Sequence, residues 1–440
     1  MSTIWSTNMS KSSLRLSVGV FILSFGFAAC GTVPSSADDK AIGGPPATAP
    51  GARPAGDPKD ALEKGVGWLV AQQNPDGGYG PYGDQAYLRL KNTSDVGLTS
   101  FALYALAKSP RGNRPADGPY IAKAVEFLLG RQQADGGFYD PKDPTLQNYK
   151  TCVTLMALNA LDRVKYAAQI RKAQAFIKAQ QFTEEDGYKP NENLGYGGIG
   201  YGSAQRPDLS NTQFGLEALH DSSLSGSDEL WKKAVVFIAR TQNAKTVDPV
   251  LKDLHIGTTQ DGGFRYAPGE TRGPTETAAD GTKIFSSYGS MTYAALKSLL
   301  YANVDRNDPL VRDAFAWISN HFSVKENPGM ATTANPKAGQ QGLFYYYHTM
   351  AKALSAYGQP VIKDEKGIEH VWARELADQL IALQNPDGHW QNTSERWLEE
   401  VPVLATSFAL VSLAECASQL ESAKSPGAAP AAPGDAKGSK

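Results

Sequence analysis

Two kinds of helical run alternate along this chain. The first kind is rich in Ala and Leu around its whole circumference and carries a Thr followed seven residues later by Leu or Ala, at Thr99, Thr154, Thr212, Thr292, Thr349 and Thr406. Asp95-Val-Gly-Leu-Thr99-Ser-Phe-Ala-Leu-Tyr-Ala-Leu106 sets the pattern. A helix apolar on every side predicts burial on every side. The second kind is amphipathic and ends in an aromatic residue, four intervening positions and Gln: Trp68 to Gln73, Phe127 to Gln132, Phe176 to Gln181 and Phe237 to Gln242. The fifth copy reads Trp317 to Phe322 and the sixth Gln379 to Gln384. Asp57-Pro58 and Asp308-Pro309 supply a cap and a first-turn proline to two of these amphipathic helices. The Thr positions are 55, 58, 80, 57 and 57 residues apart, so one two-helix unit recurs six times and predicts a closed array.

The connections after the amphipathic helices repeat as well. Asn74-Pro75-Asp76-Gly77-Gly78-Tyr79, Asp135-Gly136-Gly137-Phe138, Asp186-Gly187-Tyr188, Asp261-Gly262-Gly263-Phe264 and Asn385-Pro386-Asp387-Gly388-His389-Trp390 each put Gly at a helix end, with an aromatic shortly after. With Lys64-Gly65-Val66-Gly67-Trp68-Leu69 running on to Gln73, Gly77 and Tyr79, this pattern resembles the QW repeat of the terpenoid cyclase and protein prenyltransferase superfamily. The resemblance spans residues 57–421. It implies an all-α fold: a six-hairpin α/α toroid, with six inner and six outer helices around a central cavity.

Composition then sets the outer limits of that domain. Residues 1–30 have Lys11 and Arg15, an apolar stretch from Leu16 to Phe27, and Ala28-Ala29-Cys30-Gly31, the anatomy of a lipoprotein-type signal with Cys30 as the lipidation site. Export and a lipid anchor to a membrane are therefore expected. Residues 31–56 and 422–440 are rich in Pro, Ala, Gly and Ser and read as a linker and a disordered tail. A formal net charge of −2 with no basic block argues against nucleic acid as a partner. Cys152 and Cys416, both within inner helices, read as buried thiols.

The chemistry implied by the resemblance is mostly missing. Tyr347-His348-Thr349 matches the segment that supplies a zinc-binding His in prenyltransferases, but Tyr288 and Ser290 stand where that family has Asp and Cys. One His does not hold zinc, so no metal and no cofactor is expected. The Asp-x-Asp-Asp run that protonates an alkene in the cyclase branch does not occur in residues 57–421.

The repeat register nominates what remains. In the toroid that the resemblance implies, positions near the inner-helix N-termini bring Asp95, Asp208, Asn211, Tyr288, Tyr345, Tyr346, Tyr347 and His348 toward one rim. Asp95, Asp208 and His348 are the catalytic candidates, with N-capping the competing role of the two acids. Tyr288, Tyr345, Tyr346, Tyr347 and Asn211 are the cavity-lining candidates. The Gly/Tyr-rich segment before the third inner helix adds Tyr196 and Tyr201 as ligand-loop candidates. Three functions fit: a divergent terpene-cyclase-like enzyme acting on a hydrophobic, isoprenoid-like molecule, a non-catalytic binding toroid, and a carbohydrate-processing toroid with Asp95 and Asp208 as paired carboxylates.

Overall fold

The computed structural model describes residues 56–80, 94–110, 113–202, 206–394 and 396–424. Cys30 and the leader, nearly all of the linker before Asp57, and the tail after Lys424 lie outside the described residues. The helices belong to the unit that begins at Pro54.

Six inner helices are buried around their circumference: α2 (Val96–Lys108), α4 (Gln147–Asp162), α6 (Leu209–Asp221), α9 (Gly289–Tyr301), α11 (Leu343–Tyr357) and α13 (Pro402–Lys424). In α6 every residue from Leu209 to Leu219 is buried. Each packs on the next, and α13 packs back on α2, so the ring is closed. Outside it lie α1 (Pro58–Ala71), α3 (Pro119–Leu129), α5 (Ala167–Lys178), α7 (Glu229–Thr241), α10 (Pro309–Asn320) and α12 (Trp372–Leu383). These bury one face only; α10 presents Val311, Ala314, Trp317 and Ile318 to the ring. Asp57 and Asp308 cap α1 and α10 through Lys59 N and Leu310 N, as their sequence predicts. α13 is apolar enough to cross a membrane by composition, but it is a core helix, 78% buried over its most apolar stretch.

The recurring Gln is the mortar between hairpins. Gln73 Nε2 donates to Gly77 O and to Tyr120 O at the start of α3, Gln132 Nε2 to Gly136 O and Gln169 O, Gln181 Nε2 to Gly197 O and Leu230 O, and Gln242 Nε2 to Gly262 O and Leu310 O. Gln384 Nε2 completes the circle, reaching Gly388 O at 2.8 Å and Ala61 O of α1 at 2.9 Å. An amide that bridges the turn of one hairpin to a helix of the next is costly to remove, because the bridge goes and the Gly carbonyl it serves loses its partner. Gln384→Leu is expected to destabilise the chain by about 1–3 kcal/mol in urea unfolding.

Two sequence readings shift in register. The third helix stop is Gly197-Gly198-Ile199 and not Asp186-Gly187-Tyr188. Gly197 lies against the Lys233 carbonyl of α7, as Gly77, Gly136, Gly262 and Gly388 lie against backbone of the next outer helix, whereas Gly187 faces open space. Glu184–Asp186 is a short 3-10 turn inserted ahead of it. The buried Thr also slips. Tyr79 N, Ile199 N, Phe264 N and Trp390 N donate to the hydroxyls of Thr99, Thr212, Thr292 and Thr406, but Phe138 N donates to Thr151, three residues before the expected Thr154. In α11, which starts at Leu343, Tyr346 occupies the fourth position that Thr99, Thr212 and Thr292 hold in their helices. Three residues is close to one helical turn, and an all-apolar helix has no polar face to fix the phase.

The 80-residue step holds a short helix, α8 (Pro249–Asp253), and a three-stranded sheet in the order β1 (Ile256–Gly257), β3 (Lys283–Phe285), β2 (Thr275–Thr277), with β1 parallel and β2 antiparallel to β3. A hairpin of β4 (Val361–Lys363) and β5 (Glu369–Val371) precedes α12.

Candidate functional site

The corrected register puts His348 two residues past the Thr position, where α2, α6 and α13 carry Phe101, Phe214 and Phe408. Ring contacts confirm the alignment across the axis. Phe101 meets Phe214 at 6.0 Å and Phe408 at 4.9 Å between centroids, and His348 meets Phe214 at 6.1 Å and Phe408 at 5.3 Å. Toward the helix N-termini, Tyr149 and Tyr345 pack on the same Phe214, at 5.2 and 6.2 Å. Phe101, Tyr149 and Tyr345 keep partial exposure, so solvent reaches the edge of this aromatic layer at that end of the ring, here called the mouth, with the layer as its floor.

The two candidate acids at this rim act as caps. Asp95 accepts from Leu98 N at 2.9 Å and lies 3.8 Å from Lys150 Nζ. Asp208 accepts from Asn211 N at 2.8 Å and Asn211 Nδ2 at 2.7 Å. Burial pushes the Asp208 carboxyl up to about 6 against those bonds. The two acids sit on α2 and α6, with α4 between them, and each is tied into its own helix end. Asn211 is also spent internally, its oxygens accepting from Asn148 Nδ2 at 3.2 Å.

The tyrosines divide. Tyr345 faces the axis, its hydroxyl 2.8 Å from Ser210 Oγ. Tyr346 and Tyr347 turn outward instead, donating to Ser323 O and Val324 O at 2.7 Å, because α11 begins a turn earlier than the register of Thr349 implies. They pack between helices and do not line the mouth. Tyr288 is buried at the start of α9. Tyr201 reaches the mouth, 2.5 Å from the hydroxyl of Tyr266, while Tyr196 donates to Glu184 at 2.7 Å and braces the third turn. Tyr266 and Arg272, whose guanidinium lies 4.2 Å over the Tyr266 ring, come from the 80-residue step, where no repeat register could nominate them.

One turn below the aromatic floor the axis is filled by charge. Glu217 of α6 is fully buried between Lys297 of α9, which donates to it in a short ion pair, and Lys352 of α11, with Nζ at 3.0 Å. Lys352 also donates to Tyr104 OH at 3.3 Å and lies 3.9 Å from Asp221 and 3.7 Å from Glu415. Burial alone would raise the Glu217 carboxyl, but the two ammonium groups outweigh it and hold it well below the usual range. Burial lowers His348 to about 3, with Glu217 opposing and both lysines adding to the drop, so its imidazole is neutral. These three charged residues were visible in the sequence as the charges set into Ala- and Leu-rich inner helices.

A second buried acid tethers the mouth. Glu399 accepts from Tyr345 N at 2.7 Å, Phe344 N at 3.2 Å and Asn392 Nδ2 at 2.7 Å, so a strap from the segment before α13 caps α11. The strap turns through Trp397 and Leu398, both at positive φ. Burial pushes the Glu399 carboxyl up to about 7, with those hydrogen bonds pulling the other way. A raised carboxyl favours the folded state when protonated, so its contribution is complete below about pH 4.5 and is lost as pH rises through 7. Relative to Glu399→Gln, the native chain is expected to lose up to about 3 kcal/mol between pH 4.5 and pH 8, measured by unfolding at both pH values.

Among the described residues no cluster of three His, Cys, Asp or Glu side chains is placed to hold a metal ion, and Cys152 and Cys416 are buried and unpaired. Two open surface hollows, of about 390 and 460 Å³, lie away from the mouth, one along α3 and the start of α5, the other beside α8 and β1.

Against known proteins, residues 59–249 match the model of the squalene-hopene cyclase C-terminal domain. No curated protein matches the chain. Among solved structures, a single-residue variant of the type II terpene cyclase MstE from Scytonema is similar with a TM-score of 0.50 and 12% identity, covering 82% of this chain and 97% of that one. An unsaturated glucuronyl hydrolase specific for heparin is similar with a TM-score of 0.52 and 14% identity, covering 83% and 98%. At such identities the likeness shows the α/α toroid itself.

Proposed function

We propose that this chain, a member of the terpenoid cyclase and prenyltransferase-like superfamily, is a binding toroid that holds a hydrophobic, isoprenoid-like molecule at the mouth of its ring and returns it unchanged. The observation that carries this reading is the aromatic floor, to which α2, α4, α6, α11 and α13 each contribute a ring, above a core of matched charges. Flat apolar faces converging from five helices suit a chain or fused-ring lipid.

Alkene protonation needs an acid aimed at the ligand. Glu217 is held ionised between two lysines beneath the floor, and Asp95 and Asp208 accept hydrogen bonds as caps. The carbohydrate reading loses its carboxylate pair for the same reason. Export and anchoring through Cys30 belong to the same proposal, since a tether would hold the mouth near a membrane that supplies such ligands.

The test incubates the purified chain with farnesol and with squalene and analyses bound and released material by mass spectrometry. Recovery of unaltered ligand at one per chain supports the reading; a cyclised or cleaved product overturns it. Mass analysis of chain expressed in a bacterial host checks the anchor: acyl groups on the mature N-terminal Cys30 are expected, and a free Cys30 would remove that part.

A further inference from the structure

Resting on the reading of the mouth as a ligand site, we propose that His348 recognises a neutral hydroxyl, so that the mouth selects an uncharged amphiphilic alcohol over both its hydrocarbon and its phosphate ester. His348 is only 1% exposed, and neither of its ring nitrogens has a hydrogen-bond partner in the protein. Two of its neighbours on the axis are provided for: Tyr345 is bonded to Ser210, and Lys352 to Tyr104 and Glu217. Burial of an unpaired polar group costs free energy. Packing does not call for it, because Phe fills the same position in α2, α6 and α13. An imidazole held there at a cost, at the bottom of an apolar mouth, is a group waiting for a partner.

The charge around it decides the kind of partner. Beneath His348 lie Glu217 with Lys297 and Lys352, and Lys352 is further matched by Asp221 and Glu415. An ionic head group would meet a network already balanced and would lose its hydration without gaining a counter-charge. A neutral imidazole presents one N–H and one bare nitrogen. A hydroxyl can accept from the first or donate to the second, so it satisfies whichever nitrogen faces the mouth. Tyr345 above it and Phe101 at its own level are already partly open to solvent and are the rings that must turn to admit it.

The experiment measures equilibrium binding of farnesol, farnesane and farnesyl phosphate to the full chain and to His348→Phe by calorimetry. The native chain is expected to bind farnesol about tenfold or more tightly than either of the others, the equivalent of one buried hydrogen bond. His348→Phe is expected to bind farnesane as the native chain does and to lose the preference for farnesol. Equal affinity of the native chain for farnesol and farnesane overturns the proposal whatever the variant does. So does tightest binding of the phosphate, which would point to an anionic head, or a folded His348→Phe that keeps the preference. Binding of none of the three removes the ligand site itself, a result separable from loss of selectivity.

Discussion

Lys297→Met should cost the ring about 3–5 kcal/mol, the largest loss expected from a single substitution in this chain. The physical reason is the charge left behind more than the contact removed. Glu217 is fully enclosed, and with Lys297 gone its carboxylate would keep Lys352 at 3.0 Å but lose its closest cation. Urea unfolding of Lys297→Met measures the loss, and Glu217→Gln/Lys297→Met measures how much of it was the stranded charge. The double variant is expected to recover part of the stability, because the stranded carboxylate is gone while Lys352, which loses Glu217, keeps Asp221 at 3.9 Å and Glu415 at 3.7 Å. A double variant as unstable as the single one would mean that Lys297 acts through packing.

Gly197→Ala is expected to be nearly as severe, and its control lies ten residues away. Gly197 and Gly187 have the same φ of +82°. At Gly187 an added Cβ meets nothing within 4 Å, so Ala there carries only the left-handed backbone penalty of about 1–2 kcal/mol. At Gly197 the same Cβ would stand 1.8 Å from the Lys233 carbonyl oxygen, a backbone atom that cannot swing aside. Separating the third turn from α7 also strains Gln181, which bonds both Gly197 O and Leu230 O. Overpacking of this kind adds roughly 1–3 kcal/mol, giving about 2–5 kcal/mol in all. Comparing the two variants by thermal melting tests the register directly; equal losses would mean that Asp186-Gly187-Tyr188 is the true third stop.

The ring was legible in the sequence because it rests on repetition. Apolar helices at a regular spacing, a Gln at the end of the outer helices and a Gly-Gly turn after it together specify a closed array, and each reappears as a contact. Position within the ring was less legible. The inner helices are apolar on all sides, so nothing in their pattern separates Thr151 from Thr154 or shows that α11 starts early enough to swing Tyr346 and Tyr347 outward. His348 was singled out for its resemblance to a metal ligand, whereas its place comes from sharing a level with three phenylalanines. The mouth's other residues, Tyr266, Arg272 and Glu399, sit in connections whose path no periodicity describes. The charge network carries a sequence signal of its own, since a lone Glu or Lys amid Ala and Leu needs a partner, and Glu217, Lys297 and Lys352 stand in three inner helices.

The way the circle closes bears on how the chain must be made. α1 packs chiefly on α13 and α12 rather than on the α2 that follows it in the chain, and Gln384 of the last hairpin donates to its carbonyl at Ala61. During synthesis the first of the ring's helices to be made is therefore the last to find its place. Its apolar flank stays bare until more than three hundred further residues have been translated, and a chain cut short before the sixth hairpin would carry that sticky edge at both ends.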